Sequence, residues 1–266
     1  MSVPSIVVLT CVYQRRELTE FVLQTYQRMA QRLAGEVKLQ LLAVGSEGTA
    51  SRELCERFGF HYLEYANSPL TWKWNEGVRA ARQFDPDALL ITGSDDILSE
   101  SLLLAYKEKL NSGHDFFGLT DFYFLNLATL QLGYWPGYQV SAPHRSGEPV
   151  GCGRCYSRRL LEQTDWNIWP KKPHRNRRID SLSLEFLATR GLRPVLWTLA
   201  DLGAAAVDIK SATNINAFDQ IDYQRVMTGS NATSYLRSIL EESELAALFE
   251  LRDRTGALRR EAETCS

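Results

Sequence analysis

The chain has 266 residues, of which 44% are apolar and 11% aromatic, so it can bury the core of one large α/β domain or two small ones. This composition excludes the disordered and fibrous classes. Its 30 basic and 32 acidic residues give a formal charge of −2, which provides no overall field for nucleic acid or an anionic membrane, so any contact with a polyanion must be local.

The first 110 residues alternate between two patterns. Continuous aliphatic runs, typical of strands buried on both faces, are followed by apolar residues at helical spacing. Strands are predicted at 5–12, 37–44, 60–65 and 88–92, and helices at 17–33, 51–58, 74–84 and 99–110. This alternation favours a mostly parallel, doubly wound sheet, whose ligands collect at the carboxyl ends of the strands.

The rest of the chain is less regular. Short aromatic segments predict antiparallel strands, and a stretch rich in glycine and proline predicts loops. Strands are predicted at 116–119, 122–127, 130–135, 194–199 and 205–209, loops at 133–153, a helix at 181–190 and charged helical segments at 231–263. We expect the charged helical segments to pack on the domain or to join copies of the chain as a homo-oligomer.

The sequence also predicts a compartment. No apolar run reaches the ~18 to 20 residues that span a bilayer, and the first residues lack the basic start and cleavage site of a secretory signal. Five cysteines, at positions 11, 55, 152, 155 and 265, are scattered rather than arranged as a disulfide framework. We therefore expect a cytoplasmic protein with reduced thiols.

Two adjacent carboxylates, Asp95 and Asp96, follow the strand predicted at 88–92. Two anions at the ligand edge of a sheet repel each other unless a cation lies beside them. Mg²⁺ or Mn²⁺ prefers oxygen ligands and completes its shell with substrate phosphates, so the pair predicts a site for a metal and a diphosphate. The alternative is that one of the two simply caps the next helix.

Two other strand ends carry polar groups. After the first strand, Thr10, Tyr13 and Arg15 offer a hydroxyl, an aromatic ring and a guanidinium group to a nucleotide. After the second strand, a glycine-rich turn carries Glu47, whose carboxylate can accept a hydrogen bond from a base or a ribose. The alternative is that Tyr13 packs in the core and Arg15 is solvated.

Taken in order, these motifs resemble those of the nucleotide-sugar glycosyltransferases of the GT-A fold, particularly family 2, over about residues 3–190. The family's Thr-x-x-Tyr-x-Arg is matched by Thr10, Tyr13 and Arg15, its Asn-x-Gly by Lys73-Trp-Asn75-Glu-Gly77, and its metal motif by Ser94-Asp95-Asp96. In this chain Ser94 replaces the first acidic residue of the family's metal motif. The family's second-strand Asp-Asp-Gly-Ser is Val44-Gly-Ser-Glu-Gly48 here, which leaves Glu47 as its acid.

The resemblance implies a fold and an activity. The fold would be Rossmann-like, with helices on both faces of a mostly parallel sheet and a small antiparallel sheet on the acceptor side. One catalytic domain would cover 1–230, with its nucleotide-binding part at about 1–110 and its acceptor part at 111–230, followed by a helical extension at 231–266. The activity would be the metal-dependent, inverting transfer of a sugar from a nucleoside-diphosphate sugar to a hydroxyl of a glycan, a small molecule or a modified nucleic acid.

The resemblance also implies roles for single residues. Asp96 would bind the metal, Mn²⁺ or Mg²⁺, and Asp95 the ribose or a metal-bound water. Asp180, at the family's acid position, would remove the proton of the acceptor hydroxyl, the alternative being a plain helix cap. The residues expected to bind the donor are Thr10, Tyr13, Arg15, Glu47, Lys73, Asn75 and Asp95.

A dense basic cluster at 171–178 immediately precedes Asp180. One interpretation is a lid that grips the diphosphate through Arg175, Arg177 and Arg178, another is a clamp on a phosphate-bearing acceptor such as nucleic acid, and the third is a solvated loop. Nearby, Trp166 and Trp169 are expected either to stack on an acceptor ring or to pack in the core.

Two other functions compete with sugar transfer. Cys152 and Cys155 have the spacing of a thiol-disulfide redox motif, which needs a thiolate of low pKa. The altered metal and second-strand motifs are also consistent with a protein that binds sugar nucleotides without catalysis. Asp208 is a weaker candidate for a late metal or phosphate contact.

Overall fold

The chain is described by a computed structural model that covers residues 3–211, 214 and 217–264, with only the backbone described for 141, 143 and 256–264. The strands are β1 Ser5–Cys11, β2 Lys38–Gly45, β3 His61–Glu64, β4 Ala88–Ile91, β5 Asp96–Leu98, β6 Phe116–Leu119, β7 Phe122–Asn126, β8 Leu132–Trp135, β9 Cys155–Ser157, β10 Val195–Trp197, β11 Ala206–Lys210 and β12 Arg225–Met227. The helices are α1 Arg16–Arg32, α2 Thr49–Arg57, α3 Leu70–Ala81, α4 Glu100–Asn111, α5 Tyr138–Ser141, α6 Arg158–Gln163, α7 Ile179–Ala188, α8 Gly229–Leu236 and α9 Glu242–Thr264.

A seven-stranded sheet in the order β10-β6-β9-β4-β1-β2-β3 forms the centre of the fold. Strand β1 lies between β2 and β4 and is parallel to both, and β3 is parallel to β2. The side chains of β1 from Ile6 to Leu9 are fully buried because helices cover both faces. The predicted α/β class, with a mostly parallel sheet, is confirmed.

Two hydrophobic cores cover the two faces of this sheet. On one face, α1 contributes Phe21, Val22 and Tyr26. On the other face, α3 contributes Val78 and α6 contributes Leu160. The carboxyl ends of β1, β2 and β4 therefore emerge between two packed layers, at the edge where ligands of such sheets bind.

The second sheet has five strands in the order β12-β8-β7-β11-β5. Strands β7 and β8 form the expected antiparallel hairpin, but β11 is parallel to β7 and antiparallel to β5. The segment 116–119 was predicted as one of these antiparallel strands, but it is not part of this sheet. It lies in the large sheet as β6, where all four of its residues are buried.

Several segments differ from the prediction. Strand β5 begins at Asp96 itself, β9 lies where no strand was predicted, and α3 begins at Leu70, four residues before the predicted start. Strand β9 is antiparallel to both β4 and β6, so its position depends on long-range pairing.

The C-terminal helix α9 packs on α1. Its residues Leu245, Leu248 and Leu251 are buried in the core on that face, and buried Glu244 forms an ion pair with Arg32. The first part of α9 therefore packs on the domain, as expected from sequence. Association between copies of the chain stays a prediction. None of the helices in the described ranges is long and apolar enough to cross a bilayer.

Candidate functional site

Both carboxylates of the Asp95–Asp96 pair fold back onto Gly93 just after β4. A Cβ atom on Gly93 would lie 2.5 Å from Asp96 Oδ2 and 2.8 Å from Asp95 Oδ1. The Gly93 amide donates a hydrogen bond to Asp96 Oδ2 at 2.8 Å. A residue without a side chain is therefore required here for both acids to gather at the carboxyl edge of the sheet.

Asp95 is held by two donors from distant parts of the chain. Arg15 Nη1 forms an ion pair with Asp95 Oδ2 at 2.6 Å, and Asn214 Nδ2 donates to the same oxygen at 2.7 Å. Arg15 Nη2 also donates to Ser94 Oγ at 3.0 Å. The serine at the family's first acid position therefore binds the arginine of the first-strand motif.

The loop that carries Arg15 has an uncommon backbone. Gln14 and Arg15 have φ angles of 55° and 50°, in the left-handed region that non-glycine residues rarely adopt. The Gln14 amide is held by Glu47 Oε2 at 2.9 Å, and the Glu47 carboxylate also accepts a hydrogen bond from Ser51. The ends of β1 and β2 are thus joined, and they border a cavity of about 160 Å³ lined by Gln14, Arg15 and Glu47.

Asp96 has a second acidic neighbour that lies far away in sequence. Antiparallel pairing of β5 with β11 sets Asp208 opposite Asp96. Burial, followed by repulsion from Asp208 and Asp95, raises the pKa of Asp96 well above its usual range, and burial raises the pKa of Asp208 to about 6. Lys210 Nζ pairs with Asp208 Oδ2 at 2.7 Å, but buried Asp208 Oδ1 has no hydrogen-bond partner among the described atoms.

This centre is unbalanced in charge. When they are ionised, its three carboxylates exceed the two cations, Arg15 and Lys210, by one negative charge. Within the described ranges, no group of three or more His, Cys, Asp or Glu side chains is arranged so that it could hold a metal ion by itself. A metal at this centre would need ligands from elsewhere, such as a bound diphosphate.

Asp96 and Asp180 both line one cavity of about 150 Å³. Gly93 lines it just after β4, Asp96 lines it at the start of β5, and Asp180 lines it from the first turn of α7. Trp74 and Trp169 are part of the same wall. The structure therefore brings together two carboxylates that are 84 positions apart in the sequence.

The surroundings of Asp180 hold its carboxylate in place. A Cβ on Gly151 would lie 2.8 Å from Asp180 Oδ1 and 3.0 Å from Oδ2, so the carboxylate rests directly on this glycine. Arg154, which is only 2% exposed, donates to the Asp180 carbonyl at 3.1 Å and to the carbonyls of Pro149 and Val150. Its guanidinium also lies 3.8 Å from Asp180 Oδ1, so charge and backbone contacts both orient the acid.

The remaining predicted donor residues differ in position. The Tyr13 ring is 42% exposed at the end of β1, whereas Thr10 is buried and its hydroxyl has no partner among the described atoms. Lys73 Nζ is buried and donates to the Val12 carbonyl and to Asn67 Oδ1, each at 2.8 Å. Burial lowers the pKa of Lys73. This lysine supports the first-strand loop from behind.

Asn75 binds the backbone that leads to the cavity wall. Its side chain donates to the Trp169 carbonyl at 2.9 Å and accepts hydrogen bonds from the amides of Ile168 and Trp169. Trp169 is 3% exposed, its indole packs on Trp74 and its Nε1 donates to the Ile179 carbonyl. Trp166 is 4% exposed in the core and is not among the cavity residues, so of the two predicted tryptophans only Trp169 reaches the cavity.

The residues of the basic cluster at 171–178 are all exposed. Its backbone is tied to the start of α3, because Thr71 and Arg175 exchange hydrogen bonds and Asn176 accepts from the Leu70 amide. The side chains of Arg175, Arg177 and Arg178 form no ion pair with any carboxylate that the structure describes.

The thiol-disulfide alternative is contradicted. Cys152 and Cys155 are free thiols, and both are buried. Burial raises the pKa of each, which is the opposite of what a redox nucleophile needs. Cys155 is a packing residue of β9, whereas Cys152, whose Sγ contacts Thr92 next to the acidic centre, lines the cavity that Asp96 and Asp180 share. Cys265 lies outside the described residues.

Searches against known proteins gave matches only among solved structures; no family model and no curated protein matches the chain. S. aureus TarS 1–349 is 11% identical, with a TM-score of 0.46 over 94% of this chain and 71% of that one. A nucleotide-diphospho-sugar transferase from Desulfovibrio desulfuricans G20 is 14% identical, with a TM-score of 0.44 over 93% and 97%. The inositol-1-phosphate CTP transferase from T. maritima is 10% identical, with a TM-score of 0.49 over 91% and 98%.

Sequence reasoning missed part of the site. Arg154, Lys210 and Asn214 contact the predicted acids, but none was singled out. Asp208 was a weaker candidate from sequence, and Lys210 could have been recognised beside it, because two charged residues at alternate positions of an apolar strand lie on one face of it. The sequence carries no local signal for the contact between Arg154 and Asp180, which depends on how β9 and α7 pack.

Proposed function

We propose that this protein is a metal-dependent glycosyltransferase that moves a sugar from a nucleoside-diphosphate sugar to an acceptor hydroxyl with inversion. The observation that carries the proposal is the single cavity of about 150 Å³ lined by both Asp96 and Asp180. One carboxylate lies at the nucleotide-binding edge of the sheet, and the other lies on a helix of the acceptor part. A reacting group between them would have a diphosphate site on one side and a base on the other.

The acidic centre fits a divalent cation, Mg²⁺ or Mn²⁺. Buried Asp208 Oδ1 lacks a partner among the described atoms, and Asp96 lies opposite it with a raised pKa. Such cations are bound by one or two carboxylates together with substrate phosphates, so Asp96 and Asp208 would supply the protein ligands. When bound, the cation would offset the negative charge that develops on the departing diphosphate.

The nucleotide would bind at the ends of β1 and β2. Tyr13 presents an exposed ring to a base, and Glu47 presents a carboxylate beside the cavity of about 160 Å³. Arg15 joins this region to Asp95, so binding at the nucleotide end and the arrangement of the acidic centre would be linked through one guanidinium. Lys73 would support the loop after β1, and Asn75 would support the cavity wall at 168–169, so neither would touch the donor.

In the transfer step, the acceptor oxygen attacks the anomeric carbon while its proton passes to the Asp180 carboxylate. The new carbon–oxygen bond forms as the bond from that carbon to the diphosphate oxygen breaks, and the nucleoside diphosphate leaves with the electron pair. Since this is a single displacement, the anomeric configuration is inverted. Removal of the proton by a positioned base is worth about 10²- to 10⁴-fold in rate.

The test measures release of nucleoside diphosphate from a panel of nucleotide sugars with Mn²⁺, alongside thermal shift, because a ligand that binds the folded state raises its apparent stability. Asp96→Asn should abolish metal-dependent turnover. Asp180→Asn should keep donor binding and slow turnover by about 10²-fold or more. Glu185→Gln, an exposed acid on the same helix as Asp180, is the matched control and should behave as wild type.

Three results would contradict the proposal. Full turnover in both site variants would reject the roles of the two acids. A thermal shift without any turnover would favour a protein that binds sugar nucleotides without catalysis. Release of pyrophosphate from nucleoside triphosphates, in place of nucleoside diphosphate from nucleotide sugars, would indicate a nucleotidyltransferase.

A further inference from the structure

The basic cluster, here called the basic segment and defined as residues 171–178, carries five cations without counter-ions. In a chain of net charge −2, none of them forms an ion pair with a described carboxylate. They are Lys171, Lys172, Arg175, Arg177 and Arg178. An exposed group of like charges repels itself, so this surface is suited to an anionic ligand.

The basic segment is fixed to the body of the protein by its backbone. The Thr71 amide donates to the Arg175 carbonyl and the Arg175 amide to Thr71 Oγ1, each at 3.2 Å. The Leu70 amide donates to Asn176 Oδ1 at 2.7 Å, and Asn176 Nδ2 donates to Ser68 Oγ at 3.0 Å. Because these bonds use no cationic group, all five cations are held on the surface with their charges available to a ligand.

Aromatic rings lie among these charges. Trp72 is 39% exposed on the first turn of α3, and its Nε1 donates to the Lys171 carbonyl at 3.3 Å. The His174 ring packs beside it with a distance of 5.3 Å between ring centroids. An exposed indole that contacts a segment rich in cations is the arrangement by which proteins bind the bases and the phosphates of single strands together.

Both ends of the basic segment lead into the cavity wall. Trp169, just before the segment, and Ile179 and Asp180, just after it, line the cavity of about 150 Å³. A polymer bound along the segment would therefore pass beside the candidate base. The basic segment therefore differs from an ordinary solvated loop, because its two ends are held at the wall of the candidate site.

We propose that the surface formed by the basic segment and Trp72 binds single-stranded nucleic acid, which is the acceptor of the transfer. The cations would contact phosphates, and an unstacked base would lie on the Trp72 indole. A polyanion without bases would use the cations but gain nothing from the exposed indole, so the aromatic group favours nucleic acid. The identity of the acceptor rests on the proposed function, whereas binding itself does not.

The test measures binding of a fluorescent 12-nucleotide single strand by anisotropy at several salt concentrations, with the full chain. Five phosphate contacts predict a slope of about −3.5 for log K against log salt. Arg175→Gln with Arg177→Gln should reduce that slope to about −2, and Trp72→Ala should weaken binding roughly 5- to 150-fold. The matched control, Lys38→Gln with Arg193→Gln, removes two exposed cations elsewhere and should leave binding unchanged.

Three results would overturn the proposal. The first is a lack of strand binding at 50 mM salt. The second is that the control pair weakens binding as much as the Arg175 and Arg177 pair does. The third is that polyphosphate competes as strongly as an unlabelled strand and Trp72→Ala leaves binding unchanged. The last result would assign the surface to an anionic polymer without bases. When a nucleotide sugar and Mn²⁺ are added to the same samples, the strand should raise the rate at which nucleoside diphosphate is released. Strand binding that does not raise donor turnover would reject the strand as the acceptor and leave the binding surface in place. No turnover of any nucleotide sugar, with or without the strand, would reject the proposed function.

Discussion

Replacing Gly151 by alanine tests whether the position of the Asp180 carboxylate matters for turnover. The new methyl carbon would lie 2.8 Å from Asp180 Oδ1, closer than real Cβ atoms come to other heavy atoms, and only 3.0 Å from Oδ2 and 3.1 Å from Cγ. The carboxylate must therefore move. Its side chain is 38% exposed, so it can swing toward solvent without disturbing the core.

The expected result is a large loss of rate with a small loss of stability. Displacing a catalytic group by about 1 Å can cost about 10²-fold, so Gly151→Ala should approach the rate of Asp180→Asn. Overpacking costs about 1–3 kcal/mol, and the low end applies here because the displaced group is the end of a flexible side chain. A loss of about 1 kcal/mol lowers Tm by roughly 2–4 °C in a protein of this size.

The assay combines nucleoside diphosphate release with thermal unfolding and donor-induced thermal shift. Gly35→Ala is the control, because no heavy atom lies within 4 Å of the added carbon and the change should leave rate and donor binding unaltered. Wild-type turnover in Gly151→Ala would refute the argument that Asp180 must occupy its observed position. Loss of donor binding together with turnover would instead assign this glycine to the donor site.

Three further predictions concern stability and the thiols. Asn75→Ala leaves buried backbone groups of 168–169 without partners, so the free energy of unfolding measured in urea should fall by about 2–4 kcal/mol. A fall below about 0.5 kcal/mol would show that these hydrogen bonds contribute little to stability. Cys155 is fully buried and does not line the cavity, so it should react with a thiol reagent only after unfolding, and rapid labelling of Cys155 or a reversible disulfide in the native protein would contradict its burial. Burial acts to raise the pKa of Asp115, but hydrogen bonds from arginine and serine outweigh burial and lower that pKa. The ionised acid therefore adds stability that is lost as pH falls below about 4. In unfolding measured from pH 5 to 2, Asp115→Asn should lose less stability than wild type, and an equal loss in the two proteins would refute this role.

Local patterns predicted most of the first half of the fold. The aliphatic run of β1 and the helical spacing in α1 each report how a short segment is buried, and both were placed within one residue or so. Strand β9 could not be found in this way, because three residues carry no period and its place depends on pairing with β4 and β6. The start of α3 was missed because its first turn contains few buried apolar residues.

Local patterns are enough to predict that a buried strand ends in Asp95 and Asp96, and that polar groups follow the ends of two other strands. A parallel sheet then collects these strand ends at one edge, whatever the rest of the chain does. Which other groups meet them depends on the tertiary fold. Asp208 reaches Asp96 through pairing of β11 with β5, and the packing of α7 brings Asp180 to the same cavity. Contacts across more than 80 residues depend on which packing buries the most apolar surface, and a local pattern holds no record of that choice.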